Sequence, residues 1–410
     1  LQTLPVEFRL GEHPLELFLA SDHIFVSPGV PQQLPPLVEA RRRGVPISSE
    51  TQLFFELCGA RIIGVTGSSG KTTTTALAGR MLEQAGLPVH VGGNIGIPLL
   101  ERLDSIRAED WVLLEMSSFQ LETLPYSPHV GALLNVTPNH LDRHGDMESY
   151  RAAGGSGCSS WRPGDWAVLN ADDPVTSAVK PRGKAVWFSL EKAVEGSFPR
   201  DGWITVRRGG VSTRVCPAAS VKLLGRHNLA NVLAASAIGL AVGVPAEAMV
   251  GAIDGFRGVP HRLELVGEVD GVRFYNDSIA TAPERSVASL RSFDAPTVLI
   301  AGGRDKALPM GEWAREIRRR VKALVLMGES ADAIARAVAE PGEGDPPRIV
   351  RVAGMDEAVA HARRAASAGD VVLLAPGCTS FDMYRDFEER GNRFREAVAA
   401  LKSEQVGGAA

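Results

Sequence analysis

The run TGSSGKTT at residues 66–73 constrains the fold of this chain more than any other feature of its sequence. An apolar, strand-like run precedes it at 61–66, and a stretch with helical apolar periodicity follows from Lys71. A strand that enters a glycine-rich loop and continues as a helix is the phosphate-binding unit of P-loop proteins. The sequence therefore predicts an α/β fold in which a mostly parallel sheet carries crossover helices.

Each residue type in this loop suits phosphate chemistry. Glycines let backbone N–H groups close around phosphate oxygens, and the start of the next helix adds positive potential. Lys71 can reach the β- and γ-phosphates, and the Thr72 hydroxyl can bind Mg²⁺. The strict motif has glycine where this chain has Val65, and a plain glycine turn before a threonine-rich helix is the alternative. The order of strand, loop, lysine and helix favours a MgATP site formed by Gly67, Ser68, Ser69, Gly70, Lys71, Thr72 and Thr73.

Two more polar residues follow apolar runs. Glu115 ends the run 111–115, and His140 comes shortly after the run 131–136. The carboxyl ends of parallel strands share one edge of a sheet, and a further Mg²⁺ ligand belongs at that edge in a P-loop domain. The ordinary interpretations are a solvated acid for Glu115 and a core or surface histidine for His140, and the residues alone leave both open.

Charge and cysteine content exclude several classes of protein. The 44 basic and 48 acidic residues give a net charge of -4, whereas a general nucleic-acid binder needs a basic face. The 4 cysteines lie far apart without a CxxC pair, which predicts reduced thiols rather than disulfides or a zinc site. No apolar run approaches the ~18 residues of a membrane span, and the start shows no secretion signal. We expect a cytoplasmic protein without a membrane or nucleic-acid partner.

Strand and helix patterns alternate along most of the chain. The predicted strands are 61–66, 111–115, 131–136, 165–170, 297–301, 323–327 and 370–375. The predicted helices are 71–85, 228–242, 283–291, 310–320 and 355–367. A boundary before the loop's strand and a Gly/Pro-rich linker at 255–260 predict three domains, at 1–57, 58–258 and 259–410.

Ordered strings along nearly the whole chain resemble the Mur ligases. These strings are TGSSGKTT (66–73), GGNIG (92–96), EMSSFQLE (115–122), NVTPNHLDR (135–143), GRHNLAN (225–231), PHR (260–262), NDS (276–278), GGRDK (302–306), SFD (380–382) and FEERGN (387–392). Within that family, EMSSFQLE is similar to the string of the member that adds D-glutamate. The resemblance implies a truncated Rossmann-like N-terminal domain, a central P-loop ATPase domain and a C-terminal Rossmann-like α/β domain.

The resemblance also implies an activity. Such a ligase uses ATP to phosphorylate the L-alanine carboxylate of UDP-N-acetylmuramoyl-L-alanine. The amino group of D-glutamate then attacks the acyl phosphate, which yields an amide for peptidoglycan precursor synthesis in the cytoplasm. Domain closure around the reactants would exclude water that could hydrolyse the intermediate. We expect a monomeric ligase of the cell-wall pathway.

By the same resemblance, individual residues acquire expected roles. Glu115 and His140 would hold Mg²⁺ together with Thr72, and Asn94 would touch the transferring phosphate and the substrate. Asn228 and Asn231 share a helical face and would address adenine, or would be a helix N-cap and its neighbour. The remaining expected roles are nucleotide contact for Arg262 and Asp277, the D-glutamate pocket for Thr281, Lys306, Ser380 and Phe387, the uridine-side loop for Ser27, and a place near the hinge for His261.

The chain also departs from the family pattern. Gly154, inside a Gly/Ser-rich run at 154–160, stands where the family has a carbamylated lysine that binds a second Mg²⁺. The family's first strand and its Gly-rich turn are not found, and Ile279 stands where some relatives have lysine. An inactive, nucleotide-binding relative with a scaffolding role is therefore one alternative. A folylpolyglutamate synthase-like ligase is another, although residues 115–122 and 380–392 speak against it.

Overall fold

The computed structural model describes residues 6–27, 30–93, 99–122, 124–136, 164–223, 225–305 and 308–407. Two compact units divide the chain, Leu1–Phe256 and Arg257–Ala410. Among the described residues, no helix combines the length and the apolar character that crossing a membrane requires. We describe each unit by itself.

The first unit begins with a small sheet of two strands. Its two-residue strands β1 and β2 pair in parallel, and three short helices accompany them. The third helix begins where the Ser49 hydroxyl accepts the backbone N–H of Gln52, a typical N-cap. The bounds are α1 Leu15–Ala20, β1 Ile24–Phe25, α2 Pro35–Arg42, β2 Ile47–Ser48 and α3 Glu50–Leu57.

A nine-stranded sheet organises the rest of the first unit, in the order β11-β10-β9-β8-β7-β6-β3-β5-β4. The strands from β4 to β9 pair in parallel, whereas β9, β10 and β11 form antiparallel pairs. The bounds are β3 Arg61–Thr66, β4 Val89–Gly93, β5 Trp111–Glu115, β6 Val130–Leu133, β7 Trp166–Asn170, β8 Lys184–Phe188, β9 Gly196–Arg200, β10 Trp203–Arg208 and β11 Val211–Pro217. The prediction of a mostly parallel sheet is confirmed.

Three longer helices of this unit pack together beside the sheet. Helix α4 (Lys71–Gln84) follows β3 directly and contacts both α6 (Arg226–Val242) and α7 (Ala246–Asp254). Its apolar side, which includes Leu77 and Met81, is fully buried. The short helix α5 (Ser118–Glu122) follows β5. These contacts bring the starts of α4 and α6 close together.

The second unit contains a six-stranded sheet, in the order β12-β13-β17-β14-β15-β16. Strands β12 and β13 form an antiparallel hairpin whose turn residues, Asp270 and Gly271, both have positive φ, as a type I′ turn requires. The other pairs are parallel. The bounds are β12 Glu264–Val269, β13 Val272–Asn276, α8 Pro283–Leu290, β14 Thr297–Gly302, α9 Gly311–Arg320, β15 Val321–Met327, α10 Ala331–Ala339, β16 Arg348–Arg351, α11 Met355–Ala365, β17 Val371–Leu374 and α12 Phe387–Gly407.

Both faces of this second sheet are buried. Alternate residues of a strand point to opposite faces, so that Leu299 belongs to one apolar cluster and Ile300 to the other. Helices α8, α9 and α10 contribute to the first cluster, and α11 and α12 contribute to the second. A parallel sheet between two helical layers is the expected Rossmann-like arrangement.

The predicted elements all exist, and their ends differ from the prediction by a few residues. The largest difference is at β6, which was predicted at 131–136 and ends at Leu133. Its neighbour β3 ends at Thr66, where the chain turns into the loop, so the ladder has no partner strand beyond that point. The separate domain predicted at 1–57 and the boundary at 258 stay predictions.

Candidate active site

The loop after β3 has the backbone of a phosphate-binding loop. Gly67 and Gly70 adopt positive φ values of 146° and 83°, which favour glycine. Close neighbours also leave little room for a side chain at either position. A Cβ on Gly67 would lie 3.0 Å from the Leu134 Cβ, and one on Gly70 would lie 2.2 Å from the Asn231 Oδ1. The backbone conformation and the close neighbours therefore both favour glycine at positions 67 and 70 of the motif.

The Lys71 side chain folds back over the loop. Its Nζ donates to the Gly67 carbonyl at 2.7 Å and lies 3.5 Å from the Ser68 carbonyl. Lys71 is also the first residue of α4, and Gly70 is its N-cap. A helix start directs backbone N–H groups and positive potential outward. The ammonium group and the helix start thus converge on the same small region, which suits a polyphosphate.

Glu115 and Thr72 offer oxygen atoms at this edge of the sheet. Glu115 ends β5, which pairs with β3 so that Val65 stands opposite Glu115. Both side chains are buried, Thr72 at 4% and Glu115 at 3% exposure. Carboxylate and hydroxyl oxygens are ligands that Mg²⁺ prefers, usually with phosphate oxygens and water. No group of three or more His, Cys, Asp or Glu gathers as a metal site in the described part of the chain.

A cavity of about 140 Å³ opens beside Glu115. Its wall includes Gly93 and Met116 from the central sheet edge, and Glu50 and Phe54 from α3. This volume is smaller than the ~300 Å³ at the lower end of the range for small-molecule pockets. The cavity places α3 next to the predicted magnesium ligand.

Hydrogen bonds of the Gln120 amide order the rim of this cavity. The Ser117 backbone N–H and hydroxyl donate to its Oε1 at 2.8 and 3.0 Å. Its Nε2 donates to the Thr51 hydroxyl of α3 at 3.0 Å. These hydrogen bonds join the turn between β5 and α5 to helix α3.

Asn228 and Asn231 lie behind the phosphate loop. The Asn231 Nδ2 donates to the Asn228 Oδ1 at 3.1 Å, and the Asn231 Oδ1 faces Gly70. Asn231 is 8% exposed, so this contact belongs to the interior of the unit. Helix α6 begins at Arg226 with Gly225 as its N-cap, so the alternative of an N-cap role for Asn228 is wrong. The structure brings this predicted adenine pair to the loop.

His261 and Asp277 are buried near the start of the second unit. The Asn276 Nδ2 donates to the His261 Nδ1 at 3.0 Å, and the imidazole packs edge-on against Phe387 with ring centroids 6.2 Å apart. Burial lowers the pKa of His261, with a smaller contribution from Arg395. Burial likewise raises the pKa of Asp277, although the Ser289 hydroxyl and the Leu263 N–H both donate to that carboxylate.

Thr281 and Ser380 lie on adjacent loops of the second unit. The Gly377 N–H donates to the Ala280 carbonyl at 2.8 Å, which joins the segment before α8 to the segment after β17. Ser380 is 2% exposed, and Thr281 is half-buried. Arg262 is exposed, as is Ser27 in the first unit. Of the predicted site residues, Asn94, His140 and Lys306 lie outside the described residues, as does Gly154.

Two residues that sequence reasoning did not single out are prominent in the structure. Asn135 follows β6 and contacts the phosphate loop. Arg390 is fully buried, and it donates to the Ser278 hydroxyl at 3.0 Å and to the Cys378 carbonyl at 3.1 Å. Burial lowers the pKa of Arg390 to about 10. In the sequence, Asn135 begins the string NVTPNHLDR and Arg390 lies within FEERGN. Their places in these strings were the only sequence indication of a role.

The fold and the loop together define a P-loop nucleotide-binding α/β protein with a second, Rossmann-like unit. Residues 65–239 match the model of the Mur ligase middle domain, and 261–378 match that of the Mur ligase, glutamate ligase domain. The chain belongs to the Mur ligase family.

Curated relatives match nearly the full chain. The UDP-N-acetylmuramoylalanine--D-glutamate ligase of Symbiobacterium thermophilum is 47% identical over 98% of this chain and 89% of its own length. The ligase of the same name from Pelotomaculum thermopropionicum is 43% identical over 97% of this chain and 88% of its own length.

Solved structures share the fold at lower identity. The UDP-N-acetylmuramate-alanine ligase MurC of Thermotoga maritima has a TM-score of 0.57 and 20% identity, covering 92% of this chain and 85% of that one. The MurF ligase of Thermotoga maritima in complex with ADP has a TM-score of 0.55 and 17% identity, covering 94% and 99%.

Proposed function

We propose that this chain is an ATP-dependent ligase that joins D-glutamate to UDP-N-acetylmuramoyl-L-alanine in peptidoglycan precursor synthesis. The observation that carries the proposal is the 47% identity, over 98% of the chain, to a relative named for that activity. The geometry of the phosphate loop supports it, because Lys71 and the start of α4 converge where a nucleotide's phosphates would lie. The names of the relatives do not favour a folylpolyglutamate synthase-like ligase.

The first chemical step forms an acyl phosphate. A carboxylate oxygen of the L-alanine residue attacks the γ-phosphorus of ATP, the bond to the β,γ-bridging oxygen breaks, and ADP leaves. Phosphoryl transfer depends mainly on positioning and charge neutralisation. We assign these tasks to Lys71 and the loop's backbone donors. Mg²⁺, held by Thr72, Glu115 and His140, would neutralise charge on the phosphates.

The second step forms the amide. The amino group of D-glutamate attacks the acyl carbon, the tetrahedral intermediate expels inorganic phosphate, and the amine loses its proton. Holding the amine beside the acyl phosphate is worth roughly 7 to 11 kcal/mol for well-aligned groups. We assign the amino-acid pocket to Thr281, Lys306, Ser380 and Phe387.

The remaining roles follow the same proposal. Asn228 and Asn231 would contact adenine; the Asn231 side chain faces Gly70 and donates to the Asn228 Oδ1. Arg262 and Asp277 would contact the nucleotide from the second unit, and His261 would act near the hinge. Asn94 would touch the transferring phosphate, and Ser27 would lie on the uridine side. We further propose a monomer in the cytoplasm.

Release of ADP tests the proposal directly. The reaction contains UDP-N-acetylmuramoyl-L-alanine, D-glutamate and MgATP, and each component is left out in turn. We expect ADP only with all components present, and its loss in Lys71→Ala. Lys192→Ala, an exposed lysine of the same unit, is the matched control and should stay active. A folded protein that binds ATP without turnover would contradict the proposal and favour the inactive relative. Gly154→Lys would then test the missing lysine.

A further inference from the structure

Asn135 uses its whole side-chain amide on one residue of the phosphate loop. Its Oδ1 accepts the Ser69 backbone N–H at 2.9 Å and the Ser69 hydroxyl at 3.3 Å. Its Nδ2 donates to the Ser69 carbonyl at 3.1 Å. In addition, the Ser68 N–H donates to the Asn135 carbonyl at 3.0 Å. The side-chain amide thus pairs with both the backbone N–H and the backbone carbonyl of Ser69.

The backbones of the loop and of this segment lie unusually close. The Leu134 N–H donates to the Thr66 carbonyl at 3.0 Å, which continues the β3–β6 ladder to the first residue of the loop. A Cβ on Gly67 would lie 3.2 Å from the Asn135 backbone N and O atoms. The glycine therefore permits the approach that lets the asparagine reach Ser69.

The segment that carries Asn135 is itself fixed to β7 and the turn after it. The Asn170 Nδ2, at the end of β7, donates to the Leu134 carbonyl at 3.0 Å. The Val136 N–H donates to the Asp173 Oδ2 at 3.1 Å. The other oxygen of Asp173 accepts two backbone N–H groups of its own turn at 2.9 Å. The residues on either side of Asn135, Leu134 and Val136, are thus hydrogen-bonded to the end of β7 and the turn after it.

We propose that Asn135 is a positioning residue for the nucleotide. It fixes the Ser68–Ser69 part of the loop, so that Lys71 and the start of α4 are already arranged for the phosphates before the nucleotide arrives. We assign Asn135 no contact with the nucleotide itself. A loop ordered in advance loses less conformational entropy on binding, which raises affinity. This inference rests on the proposed role of the loop in ATP binding.

Two variants of Asn135 test the inference through the affinity for MgADP, measured by titration calorimetry. Asn135→Ala removes all side-chain contacts with Ser69, and we expect MgADP to bind about tenfold more weakly. Asn135→Asp keeps the shape and the acceptor, but it cannot donate to the Ser69 carbonyl and adds negative charge near the phosphates. We expect a larger loss for this variant. In both, the KM for ATP should rise while the KM for D-glutamate stays within about twofold.

Ser197→Ala is the matched control. Ser197 lies on β9, which β8, β7 and β6 separate from β3. Its hydroxyl makes a buried hydrogen bond to the Leu233 carbonyl of α6, two residues after Asn231. This variant should lower the melting temperature and leave MgADP affinity unchanged.

The outcomes separate this inference from the proposed function. Wild-type affinity for MgADP in both folded Asn135 variants would overturn the inference alone, as would an equal loss in Ser197→Ala. If Asn135→Ala does not fold, the MgADP affinity of the isosteric Asn135→Asp tests the inference. A wild-type protein that does not bind MgADP would contradict the proposed function and, with it, this inference.

Discussion

At the residue scale, the contact between Gly70 and Asn231 links the phosphate loop to the predicted adenine pair. An alanine at position 70 would adopt a left-handed φ of 83°, and its Cβ would stand 2.2 Å from the Asn231 Oδ1. Backbone strain alone costs about 1 to 2 kcal/mol. We expect Gly70→Ala to lose more stability than that and to bind MgADP at least tenfold more weakly, roughly 1.4 kcal/mol.

Gly86→Ala provides the control for this prediction, measured by thermal unfolding and MgADP titration. Gly86 has a φ of 72°, but a Cβ there would meet nothing within 4 Å. The two variants therefore share the strain and differ in the contact. Equal losses of stability and of MgADP affinity in both variants would show that the contact with Asn231 contributes to neither.

His261 gives the second unit a pH dependence whose sign can be worked out. Burial, followed by Arg395, lowers its pKa in the folded state below the ordinary 6.5, against the opposing charges of Glu264 and Asp386. Between these two pKa values the unfolded chain binds more protons, so stability falls as the pH drops below about 6.5. Protonation of Nδ1 would also break the hydrogen bond from Asn276.

We therefore expect the melting temperature to fall between pH 7 and pH 5, and the fall to be smaller in His261→Gln. His361→Gln is the control, because His361 lies on α11 beside Glu357 and is partly exposed. Thermal scans of the three proteins across this range provide the measurement. An identical pH dependence in wild type and His261→Gln would contradict the assignment.

At the scale of elements, Arg390 joins the start of α12 to two loops. Its guanidinium donates to the carbonyls of Ser278 and Cys378, so it joins the segments that lead to Thr281 and Ser380, two residues of the proposed amino-acid pocket. Arg390→Met would leave those buried acceptors without donors. We expect a loss of about 3 kcal/mol or more in the free energy of unfolding, and a raised KM for D-glutamate.

Arg393→Met, on the same helix, is the matched control. Arg393 forms exposed ion pairs with Asp356 and Glu396, and such pairs contribute little to stability because water screens them. Denaturant unfolding of both variants, with steady-state kinetics, makes the comparison. Similar losses of stability in the two variants would contradict the importance of the buried contacts.

Elements with strong apolar patterns could be predicted from the sequence, and less regular ones could not. The five residues of β5 are all buried, and such a run is recognisable without a structure. Strand β11 has four exposed residues followed by two buried ones, so the antiparallel extension of the central sheet gave no clear pattern. Periodicity is informative only where burial is regular.

The sequence likewise predicted some residues of the candidate site and missed others. Lys71 and Glu115 follow strands in sequence, and local order was enough to place them at one sheet edge. The contacts of Asn135 depend on β6 lying beside β3, although 63 residues separate Thr66 from Val130, and no local pattern gives strand order. Arg390 was missed for a related reason, because its partners come from residues 278 and 378.

At the scale of the whole molecule, the second unit has the features of an independently folding domain. Arg257–Ala410 is compact and contains a sheet with apolar clusters on both faces. We expect a protein of residues 257–410 to fold and to unfold cooperatively, since its core comes from its own elements. Circular dichroism during thermal unfolding is the measurement. Residues 321–410 are the control and should not fold, because they lack β12, β13 and β14. A non-cooperative transition in the longer protein would contradict the prediction.

We propose that phosphoryl transfer from ATP to the L-alanine carboxylate drives the joining of D-glutamate. Mass spectrometry of reactions with UDP-N-acetylmuramoyl-L-alanine, MgATP and either D- or L-glutamate tests it most directly. We expect a UDP-linked condensation product with D-glutamate, formed in equal amount to ADP and absent in Lys71→Ala. ADP without any condensation product, or no product with D-glutamate from a folded protein that binds ATP, would contradict it.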